Sequence, residues 1–175
     1  MKLLKWLLGI AVCAWAGQYL LALFIPNLMM EALYAIGSRQ VGSNHMTVSP
    51  LPDETFRTVV RPSPDLLYAS CIYNLEDGPI AIEAPIPARY WSLQFYQMNT
   101  DNYAGITNQR DERDRVGTVA KVTLIGMDDS PRDYPGEIIQ SPTQRGMILL
   151  RASAIGDRER QQAALEASRC VRAFR

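Results

Sequence analysis

The sequence is poor in the residues that most often carry chemistry. Histidine occurs once, at His45, and the three cysteines, Cys13, Cys71 and Cys170, show neither a CxxC pair nor Cys/His ligand spacing. So few soft ligands exclude an ordinary zinc site, and no cofactor is expected. There is no GxSxG motif, and His45 lies in a stretch rich in Ser, Pro, Gly and Asn, so a serine or cysteine nucleophile would lack its base. Charge of one sign is also missing: 18 basic residues meet 18 acidic ones, mixed along the chain. That balance argues against nucleic acid as a partner. Among the carboxylates, Glu76, Asp77, Glu83 and Asp101 have no spacing that brings two of them together as glycoside hydrolysis requires. Glu76-Asp77 ahead of Gly78 reads as turn chemistry. The inventory weighs against an enzyme.

What is abundant is apolar sequence at the N-terminus. Lys2 and Lys5 precede a run from Trp6 to Ile25 interrupted only by the polar Gln18, with Pro26 and Asn27 behind it. As a helix, Leu3 to Phe24 would measure roughly 33 Å, enough for a hydrocarbon core of about 30 Å. Residues 1–26 are therefore expected to be a transmembrane anchor, with Trp6, Trp15, Gln18, Tyr19 and Phe24 meeting the lipid bilayer or neighbouring membrane proteins. The two lysines place the N-terminus in the cytoplasm of a bacterial cell and the remainder in the periplasm. Ala14-Trp15-Ala16 resembles a signal-peptidase site, but the run continues past it through Phe24, which favours an uncleaved anchor. Ile10-Ala11-Val12-Cys13 resembles a lipoprotein site except for the bulky Val12.

Residues 27–53 are expected to hold an interfacial helix and a tether. Leu28, Met29, Ala32, Leu33 and Ile36 recur at helical spacing, Gly37 and Ser38 end the pattern, and Val41 to Asp53 reads as linker. Residues 54–175 show strand-like runs between turn signals: Thr55 to Val60, Leu66 to Tyr73, Pro79 to Ala84, Arg89 to Gln97, Thr118 to Ile125, Glu137 to Gln140 and Gly146 to Ser153. Asp77-Gly78 predicts a hairpin over Leu66 to Ala84. Asn99 to Arg115 reads as a polar loop. Asp157 is a plausible N-cap for a helix to the C-terminus with Ala164, Ala167, Val171 and Phe174 on one face. The expected fold is mainly β, a sandwich or jelly-roll-like barrel, with the N-terminal transmembrane helix and a C-terminal helix.

Several spaced motifs carry a family resemblance: Arg61-Pro62-Ser63-Pro64-Asp65-Leu66-Leu67-Tyr68-Ala69, Leu75-Glu76-Asp77-Gly78-Pro79, Pro87-Ala88-Arg89-Tyr90-Trp91, Asp101-Asn102, Ser141-Pro142-Thr143 and Arg151. Together they resemble the bacterial family called domain of unknown function 1254. The resemblance implies a companion, domain of unknown function 1214, which members carry fused or as a separate protein; here a separate chain is expected to supply it. Family members tend to have Asn and Thr where this sequence has Ser63 and Leu66, which weakens any polar role there.

Asp65, Tyr68, Arg89, Tyr90, Gln94 and Tyr96 form the candidate ligand-binding set, because the middle strands can place them on one face. The structural alternative is that Asp65 caps a Pro turn, Arg89 meets a carboxylate and the tyrosines fill a half-buried face. Cys71 and Cys170, in an oxidising compartment, are placed either to join a strand to the terminal helix or to remain two buried thiols. The function expected is a non-catalytic accessory or assembly subunit of an inner-membrane complex. The alternative is an envelope small-molecule or lipid handling protein acting with a separate companion-domain partner.

Overall fold

The computed structural model describes residues 2–50, 62–108, 116–131, 134 and 136–173. The expected strand at Thr55 to Val60 and the mixed charges at Asp111 to Arg115 lie outside them.

One helix, α1 (Lys2–Val41), opens the chain. Its 40 residues make a rod of about 60 Å, twice the thickness of a bilayer's hydrocarbon core. Pro26 lies inside it, so the predicted break at Pro26 and Asn27 is corrected. The helix also runs past Gly37 and Ser38 and ends at Val41, where Gly42 takes a φ of +81° and donates its N–H to the Ser38 carbonyl.

Nine strands follow: β1 (Met46–Val48), β2 (Leu66–Asn74), β3 (Ile80–Pro85), β4 (Trp91–Gln97), β5 (Asn102–Thr107), β6 (Val119–Ile125), β7 (Glu137–Gln140), β8 (Arg145–Ser153) and, after helix α2 (Arg158–Glu166), β9 (Arg169–Arg172). They form a five-stranded sheet in the order β1-β2-β8-β4-β5 and a four-stranded sheet in the order β7-β6-β3-β9. All pairings are antiparallel except β6 with β7. The sheets pack as a sandwich. Alternation sets its core: Leu67, Ala69, Cys71 and Tyr73 from β2, Trp91, Leu93 and Phe95 from β4, and Ile148, Leu150 and Ala152 from β8 face Ile80, Ile82, Ala84, Val122 and Leu124 of the other sheet.

Four expectations change. First, β2 and β3 do not form a hairpin. The turn at Asp77-Gly78 exists, with Gly78 at φ +117° and its N–H bonded to the Leu75 carbonyl, but it carries the chain from one sheet to the other. Both strands bury alternate apolar residues, and facing sheets satisfy both faces where side-by-side pairing would leave them on one. Second, Val41 to Asp53 is not simply a tether, because Met46–Val48 adds β1 to the edge of β2. Third, the polar stretch from Asn99 contains β5, an edge strand whose outward positions need no apolar residues. Fourth, the C-terminal helix stops at Glu166. Asp157 caps its start, accepting from Arg160 N–H at 3.1 Å. Beyond Ala167 the alternation of Arg169, Cys170, Val171 and Arg172, with only Cys170 buried, completes the edge of β3. Cys71 and Cys170 are joined in a disulfide, Cα atoms 6.5 Å apart, that ties β2 to β9 across the sandwich.

Candidate functional site

The outer face of the five-stranded sheet carries most of the singled-out side chains, because it is the polar complement of the core alternation. Register places them in rows across the strands. Tyr68 lies opposite Arg151, Arg151 opposite Ser92 and Ser92 opposite Thr107; Ser70, Leu149, Gln94 and Gly105 form the next row; Ile72, Met147, Tyr96 and Asn102 form the third.

The end of this face nearest Asn74 and Arg145 is occupied by the C-terminal third of α1. Met30, Tyr34, Gly37 and Ser38, one turn apart on the helix, form its inward face. The backbone of Gly37 comes so close to β2 that a Cβ there would stand 2.7 Å from Ile72 Cγ1. Glu31 accepts from Arg145 at 3.2 Å, and the Arg145 guanidinium lies 5.0 Å from the centre of the Tyr34 ring. Just past the helix, Asn44 donates from its side chain to the Asn74 carbonyl at 2.9 Å and accepts from Asn74 N–H at 2.7 Å. The helix is thus fastened to the domain rather than tethered to it.

This docking turns the predicted apolar stripe outward. Leu28, Met29, Leu33 and Ile36 remain 65%, 56%, 42% and 55% exposed, because Met30, Tyr34, Gly37 and Ser38 face the sheet instead. Trp6, Trp15, Tyr19 and Phe24 are exposed along the N-terminal half, Trp15 and Tyr19 with ring centres 4.7 Å apart, and Gln18 is exposed beside them.

At the opposite end of the sheet face lies a polar cluster. Arg151 donates from Nε to Ser92 Oγ at 3.2 Å, and the Ser92 hydroxyl also shares a 3.0 Å hydrogen bond with the Tyr90 phenol. Tyr68, opposite Arg151, accepts from Ser63 N–H at 3.0 Å. Gln94 lies across Gly105, where a Cβ would meet its amide at 2.5 Å, and accepts from Asn102. Of the six predicted residues, the fold brings Tyr68, Tyr90, Gln94 and Tyr96 to this face. Asp65 sits in the exposed turn before β2, its carbonyl accepting from Ala154 N–H at 2.7 Å. Arg89 is exposed and packs over Gly156. Ser92 and Arg151 complete the cluster and were not among the predicted six; a serine and an arginine inside alternating strands carry no local signal of it.

A second polar group is internal. Tyr73, fully buried, shares hydrogen bonds with Ser141 at 2.8 Å and Tyr103 at 3.2 Å. Burial raises the Tyr103 pKa well above a phenol's ordinary 10.0, and the neighbouring Tyr73 raises it further, against a lowering by Ser141. This network bridges β2, β5 and the segment after β7, and its role is to hold them together. No cluster of three or more potential metal ligands occurs among the described residues.

Residues 43–172 match the family model described as "Protein of unknown function (DUF1254)". The chain belongs to the DUF1254 family. The match covers the sandwich and leaves out the whole of α1. No curated protein matches the chain. Among solved structures, the VPA0106 protein from Vibrio parahaemolyticus is similar at 15% identity and a TM-score of 0.55, over 85% of this chain and 36% of that one. A putative uncharacterized protein from Burkholderia cenocepacia is similar at 16% identity and a TM-score of 0.49, over 69% of this chain and 35% of that one. The first likeness extends the fold to a second protein. This DUF1254 chain spans about a third of the length of either structure.

Proposed function

We propose that this DUF1254 chain is a non-catalytic accessory subunit that assembles with other proteins of a bacterial inner membrane, its β domain held on the periplasmic side. The observation that carries this reading is the exposed row of Leu28, Met29, Leu33 and Ile36 on a helix fastened to its own domain. If the hydrocarbon core begins at Trp6, a 30 Å core ends near Pro26 by about 1.5 Å per residue. The row then stands at and above the membrane surface, where apolar side chains are normally covered by protein. Lys2 and Lys5 before the span support a cytoplasmic N-terminus. The Cys71–Cys170 disulfide supports an oxidising compartment for the sandwich. The partner is expected to be another inner-membrane protein, and a chain bearing the companion domain is one such partner.

Extraction in mild detergent followed by identification of co-purifying proteins tests the reading. A stoichiometric partner is expected, lost in Leu33→Lys/Ile36→Lys while the sandwich stays folded. Recovery of a lone monomer, or a partner retained by the double variant, sinks it.

A further inference from the structure

We propose that the membrane-distal end of the outer sheet face is a binding site for a small oxyanion, a carboxylate or a phosphate, with Arg151 as its principal contact. The inference is independent of the assembly role, since it concerns the end of the sheet that α1 leaves open.

A half-buried guanidinium in the middle of a sheet usually faces a carboxylate, because partial loss of water makes an unpaired charge costly. Arg151 is half-buried on a central strand, flanked by β2 and β4. Yet it forms no salt bridge with a described residue, and only its Nε is engaged, by the neutral Ser92 Oγ. Its two Nη groups, four N–H donors, have no partner among the described residues. A guanidinium held by one edge and open at the other is the geometry that takes a carboxylate or phosphate through paired hydrogen bonds.

The surroundings prepare that arrangement. Ser92, 2% exposed, is fixed by the β4 backbone, and the Tyr90 phenol bonds to the same hydroxyl. Arg151 is thereby braced without being neutralised by any described residue. When Ser92 donates to Tyr90, the phenol proton has no acceptor among the described residues; Tyr68, using its oxygen to accept from Ser63 N–H, has none there for its proton either. No acidic residue stands in the three rows of this face among the described residues. Leu149 and Gln94 in the adjoining row offer an apolar and an amide surface for the rest of a ligand molecule.

The position also bears on where the anion comes from. Arg145, against which α1 docks, and Arg151 lie six residues apart on β8, and six residues of strand span about 20 Å. The site therefore sits well beyond the point where the helix leaves toward the membrane. This favours a soluble ligand over a headgroup of the same bilayer.

The test uses the full chain in detergent micelles, with arginine side chains labelled and their Nε resonances followed as inorganic phosphate or acetate is added. One Nε resonance is expected to shift saturably and to be absent in Arg151→Gln. Arg151→Lys, which keeps the charge and loses the fork, also removes that Nε reporter, so its affinity is read from the backbone amide shifts of β4 and β8, followed in wild type as well; it should weaken binding by about tenfold or more. Tyr90→Phe should weaken it less, and Arg158→Gln, on exposed α2, should leave it unchanged. If Arg151→Gln fails to fold, the Lys variant with a thermal melt carries the comparison. A response seen only in nanodiscs with phosphatidylglycerol, and not with free phosphate, keeps the oxyanion site and makes a lipid headgroup its source. No saturable shift under either condition, or an affinity from the backbone amide shifts that is unchanged in Arg151→Lys, overturns the proposal.

Discussion

Removing the cross-link between Cys71 and Cys170 is the perturbation whose size follows most directly from the fold. The two residues are 99 positions apart, so the bond closes a loop holding most of the domain. The chain-entropy expression assigns such a loop about 4.7 kcal/mol of lost freedom in the unfolded state, and measured losses on removing native disulfides are about 2–5 kcal/mol. A domain of about 130 residues unfolds with an entropy near 0.27 kcal/mol per kelvin, from about 2.1 cal/mol/K per residue. The expected fall in Tm is then roughly 7–18 °C. Since Cys71 is fully buried and Cys170 only 1% exposed, reductant added to the folded protein is a poor probe. The cleaner comparison is wild type against protein unfolded and refolded in reductant, which keeps both sulfur atoms in the core, with Cys71→Ala/Cys170→Ala as a second arm that adds a packing loss. Circular dichroism melts of the three forms measure the shift, and non-reducing mass mapping checks the bond. A reduced form melting within about 3 °C of the oxidised one would refute the loop-entropy reasoning, and two free thiols in untreated protein would remove its premise.

Other perturbations have signs set by single contacts. Gly37→Val should release α1 from β2, since a Cβ has 2.7 Å to Ile72 Cγ1; overpacking of this kind costs about 1–3 kcal/mol and should appear as faster amide exchange over residues 30–41. Gly9→Ala, with nothing within 4 Å of its Cβ, should leave exchange there unchanged. Gly146→Ala drives a methyl into the Tyr96 carbonyl and the Tyr73 hydroxyl, and should cost at least about 1–3 kcal/mol in a denaturant titration. Gly105→Ala should cost less, because only the Gln94 side chain must move. Tyr103 should show no phenolate by ultraviolet titration, judged against Tyr103→Phe, until the domain unfolds. Its folded pKa lies above the unfolded 10.0, so its contribution to stability is complete below pH 10 and declines as pH rises beyond it, when the unfolded state alone gives up the proton.

How much of this was legible beforehand depended on how local the signal was. The alternation of Trp91, Leu93 and Phe95, and of Ala120, Val122 and Leu124, is a period-2 pattern, and those residues are buried as read. The N-cap at Asp157 is equally local. What escaped is pairing. Val171 and Ala167 fit a helical face as well as they fit an edge strand, and the free edge of β3, far away in sequence, decides between them. The Asp77-Gly78 turn is visible in the sequence, but whether it joins neighbours in one sheet or crosses between two depends on the strands waiting on either side. The polar cluster was half legible: Tyr68, Tyr90 and Gln94 follow from the polar side of their strands, whereas Arg151 joins them only because β8 lies between β2 and β4.

That an apolar helix long enough to cross a membrane precedes a β domain with two-sided strands is legible in the sequence, because period and length are properties of neighbouring residues. The sequence also determined which helix positions are apolar. Which way they face is settled by packing against the sheet. The stripe of Leu28, Met29, Leu33 and Ile36 points away from the domain because close approach to the sheet needs a glycine opposite Ile72, and Gly37 stands on the other side of the helix. A hydrophobic pattern states what must be covered; the shape of the neighbouring surface settles what covers it.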